Sequence, residues 1–236
     1  MTMPAKPVTD LINEKTDIRI DGVSGSLWHG HAYSINIGGK TELKDTHWSF
    51  ITWQILIGRL ALDLNTHYLE NAIDTEASIS ASGRIYINSL TASMMAAQLA
   101  ELANIPLVQL DGDISLDIES AQWKQGELPI ASGQINWTNA MVTVTEAASL
   151  GNVSIILSES AQNMQTAYIT NTEGDITIVG NAELIPEQDY SIDMRMTPKA
   201  STRNSIKQSL GMIAKRQSNG DYLLKNTGSL KTIGLM

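Results

Sequence analysis

Tyr190-Ser191-Ile192-Asp193-Met194-Arg195-Met196 puts apolar side chains at every second position, with Ser191, Asp193 and Arg195 between them. A period of two is that of an extended chain, whose successive side chains point to opposite faces. Tyr33–Ile37, Arg84–Asn88, Asp113–Ile118 and Asp175–Ile178 repeat the alternation. One covered face and one wet face is the pattern of antiparallel strands, because buried parallel strands read as unbroken apolar runs. The expected fold is mainly β: a long, strongly twisted and curled antiparallel sheet, open or partly closed like a barrel. Roughly a dozen or more strands of ~5–6 residues would make it.

Six segments share a beginning: Gly58-Arg-Leu60, Gly83-Arg-Ile85, Gly112-Asp-Ile114, Gly133-Gln-Ile135, Gly174-Asp-Ile176 and Gly220-Asp-Tyr222. Each sets a glycine and a polar residue before an inward side chain, which suits a tight turn into a strand. Their spacing is irregular, so no strict solenoid is implied. Two stretches break the alternation and predict short helices. Ser89–Asn104 carries Leu90, Met94, Met95, Leu99 and Leu102, with Ser89 as N-cap and Pro106 beyond the end. Ser201–Arg216 carries Ile206, Leu210 and Ile213 at helical spacing, after Pro198 and before Ser218-Asn219-Gly220. No linker rich in Pro, Gly or Ser divides the chain. Residues 1–236 are expected to form a single β domain, with a possible seam near 89–106.

Composition narrows the function. The 236 residues carry 42% hydrophobic and 17% charged side chains, so a sizeable core can form. A net charge of -9 argues against nucleic acid, which needs a basic stripe against phosphate. The nearest thing to one, Lys199–Arg203–Lys207–Lys215–Arg216, reads as a solvated helix face. With no cysteine, disulfides, thiol catalysis and thiolate metal sites are excluded. No run reaches the ~18 apolar residues of a membrane-spanning helix, and Met1-Thr2-Met3-Pro4 is no signal peptide. Residues 1–4 read equally as a cloning scar, with a natural anchor upstream removed.

Sites of chemistry are few. His29-x-His31 puts two imidazoles on one strand face, a spacing that can seed a zinc site if His47, His67 or carboxylates join. Exposed strand histidines are the plainer reading. Asp111-Gly112-Asp113 reads as a hairpin turn, since the twelve-residue calcium loop is missing. Neither a nucleophile elbow nor a phosphate loop is present. The expectation is a protein that is not an enzyme and needs no metal or cofactor.

The most distinctive segment is Ile20-Asp-Gly22-Val-Ser-Gly25-Ser-Leu-Trp28-His-Gly30-His-Ala32. His47-Trp48-Ser-Phe50 and Trp53-Gln-Ile-Leu-Ile-Gly58-Arg-Leu60 follow. These blocks resemble protein N of the type II secretion (general secretory) pathway, in which G-x-S-G-[ST]-[LV]-W-x-G-x-A precedes W…LL-G-x-L. Gln122-Trp123, Gly133-Gln-Ile-Asn-Trp137, Leu150-Gly151, Asn219-Gly220-Asp-Tyr222 and Gly228-Ser-Leu230 extend the likeness over nearly the whole chain. Thr52 stands where a proline is expected in the second block.

The resemblance implies the periplasmic domain of a single-pass inner-membrane protein of a Gram-negative bacterium. Such a domain is an accessory scaffold meeting the inner-membrane platform and possibly the secretin, without catalytic residues. Gly22, Gly25, Trp28, Gly30, Trp48, Trp53, Gly58 and Trp137 are its candidate interaction residues. Membrane contact is expected only through the removed anchor. Partner strands could add at an open sheet edge. The alternative is a periplasmic protein holding a lipid or other amphipath against a concave apolar face. An outer-membrane barrel is disfavoured on two grounds, short strands and a single phenylalanine.

Overall fold

The computed structural model describes residues 3–39, 41–102, 109–143, 146–160, 164–185 and 189–229. The chain divides into two compact units. One comprises Met1–Ser93 with Ile118–Gln125, the other Met94–Asp117 with Gly126–Met236.

In the first unit α1 (Lys6–Lys15) precedes β1 (Ile18–Asp21), β2 (Ser24–Gly25), β3 (His29–Ile37) and β4 (Thr41–Phe50). A 3-10 helix (Thr52–Ile57) leads to β5 (Arg59–Tyr68), β6 (Asn71–Ser80) and β7 (Ile85–Met95). Then come α2 (Ala96–Leu102), β8 (Gln109–Trp123), β9 (Ile130–Thr143), β10 (Ala147–Glu159), β11 (Gln165–Glu173), β12 (Ile176–Ile185) and β13 (Asp189–Pro198). The last elements are α3 (Asn204–Ile213), β14 (Lys215–Arg216) and β15 (Tyr222–Ser229). The fifteen strands among the described residues follow one hydrogen-bonded order, β1-β3 through β13 in sequence and then β15-β14, with β2 beside β3. The sheet is antiparallel and open. The mainly β expectation therefore holds.

Strand lengths differ from the expectation of ~5–6 residues. The strands from β3 to β13, with β15, run from eight to fifteen residues. Gly112 and Gly133 were expected to begin strands, but they lie inside β8 and β9, so short alternating runs fuse into long ones. Asp111-Gly112-Asp113 is accordingly strand and not a turn; Gly112, at φ 103, gives its Cβ space to the backbone carbonyl of Thr138. The length argument against an outer-membrane barrel falls with this, leaving only the scarcity of aromatics.

The helices differ too. Leu90, Met94 and Met95 belong to β7, and Ser89 caps nothing; only Ala96–Leu102 is helical, and Asn104 and Pro106 lie outside the described residues. Leu90, Ala92 and Met94 fit a period of two as well as a helical one, and burial of Ala92 and Met94 on the sheet decides for strand. The second helix is Asn204–Ile213, shorter than Ser201–Arg216, because Lys215 and Arg216 pair with Leu223 and Tyr222. α1 is a third helix the alternation does not reveal. Pro7 opens it, but Val8, Leu11 and Ile12 make only a thin apolar side.

The core of the second unit lies under α3. Ile206 and Leu210 pack on Ile176, Met196 and Tyr222, with Ile178 and Leu224 beside them. In the first unit a buried hydroxyl chain holds a bulge in β4. Thr46 Oγ1 lies 2.7 Å from Thr66 Oγ1, which donates to the Lys44 carbonyl at 3.2 Å. Asp45, at φ 48, is the residue the register skips.

Candidate interaction surfaces

The first motif block folds into the corner between β1 and β3. Gly22 makes the turn out of β1, Gly25 sits in β2 and Trp28 immediately precedes β3. Gly30, in β3, is opposite Trp48 in β4. A Cβ on Gly30 would lie 2.2 Å from Trp48 Cζ2 and 2.9 Å from the Ser26 carbonyl, so only glycine lets the indole lie flat there. Trp48 Nε1 donates to the Leu27 carbonyl at 3.0 Å, which fixes the ring. Trp28 meets Phe50 edge to face at 5.9 Å between centroids, and Phe50 N–H donates to the Trp28 carbonyl at 2.8 Å. The structure thus gathers Gly25, Trp28, Gly30 and Trp48.

Trp53 and Gly58 belong to the neighbouring 3-10 helix. Gly58 ends it in the left-handed conformation, φ 74, with its N–H turned back to the carbonyls of Gln54 and Ile55. Here stands the position where the motif block has Thr52 and not proline. Gln54 is buried and donates to Glu76 Oε1 at 3.2 Å, while Trp53 faces solvent. Trp137 lies in the second unit, where its Nε1 donates to the Asp111 carbonyl at 2.9 Å.

Two polar rows cross the first unit. His29, Ser49, Asp63, Glu76 and Ser89 are successive cross-strand partners from β3 to β7. His31, His47, Asn65, Asp74 and Thr91 form the next row. They line an open groove of ≈ 620 Å³. The His31 and His47 rings lie 4.5 Å apart, and His31 Nε2 is 3.6 Å from Asp45 Oδ1. Among the described residues no group of three or more His, Asp or Glu is arranged to hold a metal ion. Sequence reasoning found His29 and His31 but not their acidic neighbours, because cross-strand register has no local signature in so irregular a series of turns.

The two ends of the strand order are treated differently. At the β1 edge, the Asn13 side chain of α1 accepts from Ile20 N–H at 2.7 Å and donates to the Ile20 carbonyl at 3.1 Å. Thr16 Oγ1 accepts from Ile18 N–H at 3.2 Å. α1 therefore occupies this edge. At the other end β14 pairs only with Tyr222 and Leu223 of β15. Gln217 N–H bonds the Asp221 carbonyl at 2.7 Å, and alternation from there turns the amides of Lys225 and Thr227 to the same outer side. Among the described residues no strand pairs that stretch.

A family model described as Type II secretion system (T2SS), protein N, matches residues 16–225. The chain belongs to that family. A similar protein is the Type II secretion system protein N of Vibrio cholerae serotype O1 (strain ATCC 39315 / El Tor Inaba N16961). It is 22% identical over 240 residues, covering 97% of this chain and 91% of the relative. No solved structure matches. Membership makes this T2SS protein N chain a component of a secretion apparatus, consistent with the envelope of Gram-negative bacteria. Among its described residues no helix is long and apolar enough to cross a membrane.

Proposed function

We propose that the chain is an accessory structural component of a type II secretion system, a periplasmic domain held at the inner membrane by an upstream anchor. It contacts the inner-membrane platform or the secretin by accepting an extended partner segment along β15. The observation that carries this reading is the contrast of edges. Asn13 occupies the Ile20 backbone groups of β1, whereas among the described residues no strand pairs the outward amides of β15 beyond Leu223. Such an edge is a template for main-chain hydrogen bonding. The net charge of -9 favours a basic partner segment.

The test is photo-crosslinking in a secreting strain. A benzophenone side chain at Thr227 captures a secretion component, while the same group at Arg19 of β1 does not. Lys225→Pro, in the chain that carries the benzophenone at Thr227, removes one outward N–H without taking an N–H from the β13 ladder and abolishes the crosslink. Recovery of no secretion component from Thr227 overturns the reading.

A second reading has its own observation. In the second unit the face covered by α3 continues beyond the helix into an apolar cleft of ≈ 500 Å³. Leu157, Ala167, Ala182 and Ile192 form one cross-strand row there, with Leu184 and Tyr190 beside it. That half-filled face supports a role in holding a lipid chain.

A further inference from the structure

We propose that one end of the first unit is a membrane-docking tip, the 3-10 helix of Thr52–Ile57 inserting its side chains into the surface of an anionic bilayer. Trp53 is 61% exposed, Ile55 46%, Leu56 88% and Ile57 58%. Four large apolar side chains within five residues is a concentrated patch, unlike the scattered exposed apolar residues of ordinary surfaces. They are held rigidly. Gln54 anchors the turn inward on Glu76, Ile51 N–H bonds the Ala61 carbonyl at 2.8 Å, and Gly58 caps the helix. A preformed wedge loses little conformational freedom on insertion.

The surroundings select a lipid surface. Leu60, Ile79 and Ile85 are mutual cross-strand partners beside the tip and are all exposed. The turn after β6 abuts it, with Ala81 N–H bonded to the Gly58 carbonyl at 3.3 Å. The start of the described chain lies at this end as well, through Leu27 N–H to the Met3 carbonyl at 2.8 Å. Four segments meet here: residues 3–9, 22–30, 50–62 and 77–87. None contains Asp or Glu, although the chain has 25 of them; their fixed charges are Lys6, Arg59 and Arg84. The Arg59 guanidinium lies 4.1 Å over the Tyr86 ring, at the base of the wedge. An apolar wedge with tryptophan, with Arg59 at its base and the Glu76 carboxylate held on its inward side by Gln54, matches the chemistry of a headgroup boundary. A protein otherwise so acidic would be repelled elsewhere on its surface, which orients it tip first. The proposal does not depend on strand addition at β15.

Vesicle flotation tests it, with phosphatidylethanolamine–phosphatidylglycerol vesicles against pure phosphatidylcholine. The wild-type domain floats with the anionic vesicles, and lipids brominated on the acyl chain quench its fluorescence. Leu56→Asp lowers the bound fraction by roughly tenfold or more. Trp53→Phe removes most of the quenching while still floating. Both side chains are exposed, so the melting curves stay unchanged. Met212→Asp, at an 87% exposed apolar position of the second unit, leaves binding intact. Three results overturn the proposal: absence of flotation, flotation indifferent to Leu56→Asp, or equal loss with Met212→Asp. A wild-type dimer that Leu56→Asp dissolves, without flotation, assigns the patch to a second copy of the chain instead.

Discussion

Gly30 and Trp48 share a space that holds one indole and no additional methyl group. The tryptophan carries the apolar contact and its N–H fastens the chain at Leu27, so the glycine acts by leaving room. Gly30→Ala is therefore expected to displace the ring, break the bond to Leu27 and cost about 1–3 kcal/mol of stability. Urea unfolding followed by tryptophan fluorescence measures it; a change below a few tenths of a kcal/mol would contradict the packing described. At this scale much was legible in the sequence. The sequence singled out Gly22, Gly25, Trp28, Gly30 and Trp48 as motif residues, but that Trp48 packs over Gly30 follows from cross-strand register and was not read from it. Asn13 was not legible, because a side chain that imitates a peptide group to a strand seven residues away leaves no periodic trace.

Elements were read unevenly, for a physical reason. Alternation at Tyr190–Met196 or Tyr33–Ile37 has only one interpretation, and those segments are strands. Leu90–Met95 supports two, and tertiary burial chose between them. α3 shows how a short helix is held in place from outside. Glu146, in the segment before β10, bonds to Ser205 and to Arg203 at the start of the helix. The hydrogen bond from Ser205, with the nearby Arg203 charge, holds the Glu146 carboxyl below the usual carboxylate range against the opposing effect of desolvation. A lowered folded pKa gives stability that is present above the unfolded value and lost as pH falls through the folded one. Glu146→Gln should accordingly melt below the wild type near neutral pH, and the gap should close on acidification past the carboxylate range. Thermal melts at neutral and acidic pH check this; a gap that persists in acid would assign the effect to packing.

Among the described residues, sequence neighbours are sheet neighbours almost throughout, and the order departs from the chain where β1 pairs with β3 past β2 and where β15 passes β14. Such a ladder offers long faces, and the use of a face depends on what covers it. α3 fills part of one in the second unit, and the adjoining cleft lined by Leu157, Ile192 and Leu184 stays open. Native mass spectrometry of gently purified protein is expected to show a bound lipid that Ile192→Asp removes; wild-type protein free of lipid would leave the cleft as simple surface. The alternation foretold apolar faces but could not say how far a helix would roof them, since that depends on where α3 lands and not on its composition.

The amide of Asn13 has a consequence for how copies of this chain can join. Head-to-tail fibre growth along the ladder needs two complementary edges, and one is already plugged. Among the described residues the outward amides of β15 remain, and a meeting of β15 with β15 about a two-fold axis closes at a pair where a head-to-tail contact would run on into a filament.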